Sequence, residues 1–232
     1  MTNKLTKEDF MAHNNVHLCG KIIKKSSNSK ELRVVLSCGH GKHMKKDKNG
    51  RFERNIVTVK FFGKAAEIYG TKYNAGDFVT VNAIAQTKKN PYTGDAHLEI
   101  WGLAMAPKIE EGKFIRDHNH VSIRGKVVSA SVANNGLVVV NIFTNMEKKY
   151  LNPIKNDNVP FVTEKFRSIT PVGIWCKGDA KEVVKQFTRG TWVDISGFAD
   201  SKRIEKDDHI YIKQMIIALK AQVIGSTQII QE

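Results

Sequence analysis

The chain repeats one order of strand-forming segments over its two halves, and this repeat limits the fold more than any other feature. The segment VHLCGKII begins at Val16, and the similar segment VSIRGKVV begins at Val121. Each is followed by alternating apolar residues, a short helix-like stretch and a Gly-x-aromatic-Val strand, which begins at Gly76 and again at Gly190. A repeat of this length predicts two copies of one small β module.

Composition favours a folded, basic protein. The 232 residues are 41% hydrophobic, which is enough for packed cores, and they carry a formal net charge of +14. A positive surplus of this size favours a polyanionic partner, because clustered cations release the counterions of nucleic acid. The three cysteines are too few and too scattered for a disulfide framework, which favours a reducing compartment. With no signal sequence or membrane-length apolar run in evidence, we expect a cytoplasmic protein without membrane contact.

Apolar periodicity divides the chain into five parts. They are a polar arm (1–14), a first module (15–107), a linker (108–119), a second module (120–224) and a short tail (225–232). In the first module we predict strands near 16–23, 32–38, 56–62, 77–86 and 98–104, with a short helix within 63–73. The second module repeats this order with strands near 121–128, 137–143, 172–176, 190–195 and 210–216. A helix is predicted over 180–187, and residues 145–167, with two prolines, are expected to form an extended loop.

Three strands, a helix and two further strands is the chain order of the OB-fold. That fold is a five-stranded Greek-key barrel whose strands 2 and 3, with the loops beside them, form the usual binding surface. We therefore predict an all-β protein with short helices, built from two tandem OB-fold barrels.

The first module resembles bacterial and bacteriophage single-stranded DNA-binding proteins. The resemblance lies in the segment FGKAAE from Phe62, in the pattern Tyr73-x-x-Gly-Asp-x-Val-x-Val, and in the opening Val16-x-Leu-x-Gly-Lys. It covers almost the whole first module and is looser in the second, where Trp175-Cys-Lys and Gly190-x-x-Val-x-Ile match.

The resemblance implies a role for three aromatic residues. It puts Phe62 at the base-stacking position that ends the third strand, with Trp175 at the same place in the second module and Tyr92 in the hairpin between strands 4 and 5. The alternation of side chains along a strand supports this role for Phe62 and Trp175, because it puts each of them on the face away from its apolar strand neighbours. The family's acidic C-terminal tail has no counterpart in Gln228 to Glu232, so we do not expect partner recruitment by that route.

Cations are expected to follow the phosphates beside these aromatics. A basic loop joins the predicted strands 2 and 3, so we assign its charges to phosphate contact and not merely to a solvated face. The predicted nucleic-acid-binding residues are Lys21, Lys42, Lys45, Lys46, Lys48, Arg51, Arg54, Thr58, Lys60, Phe62, Lys88, Lys89, Tyr92, Arg124, Lys126 and Trp175.

Metal and catalytic sites find little support in the sequence. Cys38, His40 and His43 could supply three zinc ligands, but no partner cysteine pair lies nearby and the neighbouring lysines would repel a cation. Phosphate-binding glycine loops, nucleophile elbows and spaced carboxylate sets are also missing from the sequence. We therefore expect no catalytic residue, no metal and no cofactor.

Three functions remain open at this point. The first is a non-enzymatic protein that coats single-stranded DNA, with RNA left open, during replication, recombination or DNA transfer. The alternative is a tandem OB-fold scaffold for the proteins of such a complex, and the third is a nuclease built on Cys38, His40 and His43. Because the family usually brings four barrels together, the resemblance implies a homodimer of this two-barrel chain, with a monomer as the other outcome.

Overall fold

The computed structural model describes residues 12–39, 46, 48–50, 53–89, 94–107, 117–132, 138–151, 161–167, 171–206 and 209–226. The first half contains β1 (His13–Ser27), β2 (Glu31–Cys38), β3 (Asn55–Phe62), α1 (Gly63–Lys72), β4 (Phe78–Lys89) and β5 (Ala96–Pro107). The second half contains β6 (His118–Val132), β7 (Val138–Phe143), β8 (Asn145–Leu151), β9 (Phe161–Arg167), β10 (Val172–Cys176), α2 (Asp179–Val184), β11 (Thr191–Lys206) and β12 (His209–Ser226).

The strands close into two five-stranded barrels. In the first barrel the order around the ring is β1-β2-β3-β5-β4, and β4 pairs with β1 to close it. The second barrel has the order β6-β7-β10-β12-β11, closed by the pairing of β11 with β6. In both barrels the third and fifth strands are parallel. This is the OB-fold ring that the sequence predicts, and it leaves few open strand edges.

The two barrels join through β1 and β6, which pair over seven residues. Val16 lies opposite Val121, and these two residues hold the same position in the sequence repeat. Equivalent residues pair with each other only about a two-fold axis, so the barrels are related as the halves of a symmetric dimer are. The result is one sheet of ten strands.

The repeated glycine has a steric cause. A Cβ atom on Gly20 would lie less than 3.0 Å from the carbonyl O of Ser37, and one on Gly125 would meet the carbonyl O of Phe143 in the same way. A register shift follows two residues later in each strand, at Ile22 and at Val127. Both barrels therefore need a residue without a side chain where the first strand bends across the second.

Two buried asparagines lie in segments that the sequence assigns to the arm and the linker. The side-chain amide of Asn14 exchanges two hydrogen bonds with the backbone of Ala85, at 2.7 and 2.9 Å. Asn119 forms the same pair with Ala199, at 2.6 and 2.9 Å. These bonds extend β1 and β6 to His13 and His118, because each asparagine completes the backbone hydrogen bonding of the opposite strand.

The expected loop over 145–167 is wrong. Its two ends form a separate antiparallel pair, in which Asn145 lies opposite Arg167 and Leu151 opposite Phe161. In the sequence both prolines fall between the two strand segments and in neither of them, and residues 161–167 are rich in strand formers. No helix among the described residues is long and apolar enough to cross a membrane.

Candidate nucleic-acid interface

The outer face of β3 carries the residues that alternation predicts. Val57, Val59 and Phe61 are fully buried in the core, whereas Phe62 is 39% exposed. Thr58 and Lys60 share the outer face with Phe62 and are half-buried. The predicted orientation of this strand is confirmed, and it presents a flat aromatic ring beside a lysine.

Trp101 completes this aromatic surface, although sequence reasoning did not select it. It lies on β5 beside Lys60, and its ring meets the ring of Phe62 edge to face, with centroids 5.2 Å apart. The available signal was its position between the buried Ile100 and the small Gly102 in the predicted fifth strand. Two rings in this arrangement offer a base a face and an edge at once.

A buried carboxylate organises the polar groups beneath the rings. Glu99 is 3% exposed and accepts hydrogen bonds from Nζ of Lys60 at 2.6 Å and from Nε1 of Trp101 at 2.8 Å. Nε2 of His97 lies 3.1 Å from the same carboxylate. Burial favours the neutral acid, but the hydrogen bonds of these partners and the Lys60 charge outweigh it, and the pKa of Glu99 is lowered.

A second carboxylate lies directly across from Phe62. Glu31 on β2 is opposite Phe62 in the ladder, and Arg33 is opposite Lys60. Arg33 forms an ion pair with Oε1 of Glu31, while Oε2 of Glu31 lies 3.8 Å from Nζ of Lys60. We call Glu31, Lys60, Phe62, Glu99 and Trp101 the aromatic–carboxylate patch. Its two carboxylates balance the charges of Lys60 and Arg33.

The predicted cations fall into two groups. Arg54 bonds to Ser37 and pairs with Asp117, Lys60 pairs with Glu99, and Arg124 pairs with Asp194. The side chains of Lys21, Lys46, Lys48, Lys88, Lys89 and Lys126 are exposed. The remaining predicted residues Lys42, Lys45, Arg51 and Tyr92 lie outside the described residues, as do His40 and His43.

Strand register corrects the position assigned to Trp175. Ile22, Leu36 and Val57 lie side by side across β1, β2 and β3, and Val127, Ile142 and Val172 do so across β6, β7 and β10. Because Val172 matches Val57, Trp175 matches Lys60, and Lys177 takes the place of Phe62. The predicted equivalence of Trp175 with Phe62 is therefore wrong by two residues.

Trp175 still lies on the outer face of β10, as predicted. It is half-buried between the buried Ile174 and Cys176, and Nζ of Lys213 lies 5.5 Å from its ring centroid. At the position that Lys60 holds in the first barrel, the second barrel therefore has the indole ring of Trp175. The Lys213 ammonium lies over this ring in a cation–π arrangement.

A side-chain hydrogen bond joins the second barrel to β3 of the first. Oε1 of Gln214 on β12 accepts from the backbone N–H of Thr58 at 2.8 Å. The two residues are far apart in sequence, so no local pattern could indicate the contact. It brings β12 of the second barrel against β3, in the middle of the candidate surface.

The cysteine–histidine cluster has a buried thiol at its start. Burial is the main cause that raises the pKa of Cys38 to about 12, so its thiolate is disfavoured at neutral pH. Within the described residues, no group of three or more His, Cys, Asp or Glu side chains is placed to hold a metal ion.

Comparison with known proteins identifies the fold. No family model and no curated protein sequence matches the chain. Among solved structures, a deletion variant of the single-stranded DNA-binding protein from Thermus aquaticus is similar over 95% of this chain and 98% of that chain, with 15% identity and a TM-score of 0.59. The wild-type Thermus aquaticus protein is similar over 91% of this chain and 93% of that one, with 14% identity and a TM-score of 0.59. The predicted architecture of two tandem OB-fold barrels is confirmed, and the neighbouring structures are those of the protein class that the sequence resembles.

Proposed function

We propose that this protein binds single-stranded DNA without strong sequence preference, coating and protecting it during replication, recombination or DNA transfer. The observation that carries the proposal is the ring contact between the exposed Phe62 on β3 and the half-buried Trp101 on the neighbouring β5, beside the strand 2 and 3 surface that OB-folds commonly use for oligonucleotides. A duplex hides the faces of its bases, whereas a single strand can stack them on such rings.

Phosphate contacts would come from the exposed lysines. These residues, namely Lys21, Lys46, Lys48, Lys88, Lys89 and Lys126, reach solvent, and the chain as a whole carries a net charge of +14. Lys60, Arg54 and Arg124 already have acidic partners, so we assign them to positioning the surface more than to binding phosphate. In the second barrel we assign stacking to Trp175.

The binding step requires no bond to be made or broken, and we propose no enzymatic activity. We propose that the protein acts in the cytoplasm of a bacterium, or of a phage-infected host, as a homodimer that brings four barrels together. RNA remains a second ligand to compare, because a groove that stacks bases accepts either strand unless it contacts the 2′-hydroxyl.

The proposal is tested by titrating a labelled single strand with the protein and following its anisotropy. We expect tight binding to the single strand and weaker binding to the duplex of equal length. The logarithm of affinity should fall with the logarithm of salt concentration at a slope of about −0.7 per phosphate contacted. Light scattering in the same buffer gives the mass of the complex. Absence of single-strand binding at low salt would contradict the proposal and favour the scaffold alternative.

A further inference from the structure

The aromatic–carboxylate patch has an unusual charge balance for a surface that meets nucleic acid. Glu31 and Glu99 lie beside Phe62, and Lys60 and Arg33 are both engaged by these carboxylates. A phosphate placed here would meet two negative charges at close range and no uncommitted cation among these residues. The patch therefore suits the base of a nucleotide better than its phosphate.

The carboxylates of Glu31 and Glu99 differ in their remaining capacity to accept hydrogen bonds. Both oxygens of Glu99 accept hydrogen bonds, from Lys60 and His97 at Oε1 and from Trp101 at Oε2. Glu31 accepts from Arg33 through Oε1, and its Oε2 lies 3.8 Å from Nζ of Lys60, beyond hydrogen-bond distance. Among the described residues, no donor bonds to Oε2 of Glu31, whose side chain is 13% exposed. An acceptor with spare capacity thus lies across from the exposed ring of Phe62.

We infer that Glu31 reads the base stacked on Phe62 and favours cytosine over thymine. This inference rests on the proposed function. An ionised carboxylate only accepts hydrogen bonds, and cytosine carries a donor amino group at the place where thymine carries a carbonyl oxygen. The amino group can bond to Oε2, whereas thymine places a carbonyl oxygen there, and its single donor, N3–H, lies between two carbonyl oxygens that the carboxylate repels. Cytosine and thymine are both single-ring bases, so stacking on Phe62 differs little between them.

The test is the ratio of the affinities for oligo-dC and oligo-dT of equal length, measured at neutral pH and one salt concentration. The wild type should bind oligo-dC about fivefold or more tightly, the low end of what one good base contact contributes. Glu31→Gln should bring the ratio close to one, because the amide can donate to thymine as well as accept from cytosine. Affinity for both strands is expected to rise, since Arg33 and Lys60 lose a partner.

The affinity ratio distinguishes a change in base preference from a loss of folded protein, because a loss of active protein changes both apparent affinities equally. Glu182→Gln is the matched control: it removes the same charge from an exposed residue of α2, paired with Lys185, and should leave the ratio unchanged. Equal affinities in the wild type, or a ratio that Glu31→Gln does not change, would overturn the inference while single-strand binding stands. Failure of both strands to bind would overturn the proposed function and the inference with it.

Discussion

Nζ of Lys60 lies 2.6 Å from Oε1 of Glu99, and this ion pair joins β3 to β5 beneath the aromatic rings of the candidate surface. Only two residue pairs connect these parallel strands, at Val59 and Lys60. Because the backbone ladder between them is so short, side-chain contacts supply much of the connection. The ion pair therefore both connects two strands of the barrel and holds Lys60 in place at the candidate surface.

Removing the Glu99 carboxylate should destabilise the protein. Glu99→Gln removes the nearer of the two carboxylates that neutralise the half-buried Lys60 ammonium, and we expect the free energy of unfolding to fall by about 1–3 kcal/mol. Urea denaturation followed by far-UV circular dichroism measures the change. Glu67→Gln in the exposed Lys64 pair is the control and should change it by less than about 0.5 kcal/mol. Equal losses in the free energy of unfolding would show that the buried ion pair stabilises the protein no more than an exposed one.

Acid should remove the contribution of Glu99. The pKa of Glu99 is lowered in the folded protein, so the group contributes stability above its unfolded pKa of about 4.3, and this contribution is lost as the pH falls through the folded pKa. The stability difference between wild type and Glu99→Gln is thus expected to be largest near neutral pH and to shrink below about pH 4. Urea midpoints across this range test it, and a difference that grows on acidification would have the wrong sign.

Loss of the Phe62 ring should weaken single-strand binding. An aromatic stacking contact contributes about 1–3 kcal/mol per base, so Phe62→Ala should reduce affinity by roughly 5- to 150-fold. Ile68 on α1 is similarly exposed, at 37% against 39%, and Ile68→Ala provides a control for the loss of a surface apolar group. Anisotropy titrations compare the two variants, and equal affinities would exclude stacking at Phe62.

The repeated glycines should tolerate no side chain. Gly20→Ala and Gly125→Ala each force a Cβ against a backbone carbonyl of the neighbouring strand, and we expect each to cost roughly 1–3 kcal/mol of stability. Gly70 in α1 has its nearest atom at 3.9 Å, so Gly70→Ala should be neutral or stabilise by up to about 1 kcal/mol. Thermal unfolding of the three variants ranks them, and a stable Gly125→Ala protein would contradict the steric account.

Local alternation predicted much of this fold, because the two-residue period of a strand can be recognised from consecutive residues alone. The sequence placed β3 within one residue of its observed start and gave the correct outward face to Phe62 and Trp175. Yet a shift of two residues leaves every side chain on the same face. The error that equated Trp175 with Phe62 is of this kind, and only the pairing of β10 with its neighbours corrects it.

The rest of the candidate site depends on contacts between distant segments. Glu31, Lys60 and Trp101 come from three different strands, and Gln214 reaches Thr58 from the other barrel. Each of these residues has an ordinary local setting in the sequence. Their roles follow from the closure of the barrel, which brings β2, β3 and β5 side by side.

The most direct test of the account follows the fluorescence of Trp101 alone. The chain has three tryptophans, and Trp175→Phe combined with Trp192→Phe leaves Trp101 as the single reporter beside Phe62. A single strand of about 30 nucleotides, enough for two OB-folds, should quench its emission saturably, and a duplex of equal length at the same salt should not. Unchanged Trp101 emission while anisotropy shows the single strand bound would contradict the account, because the DNA would then lie on another surface.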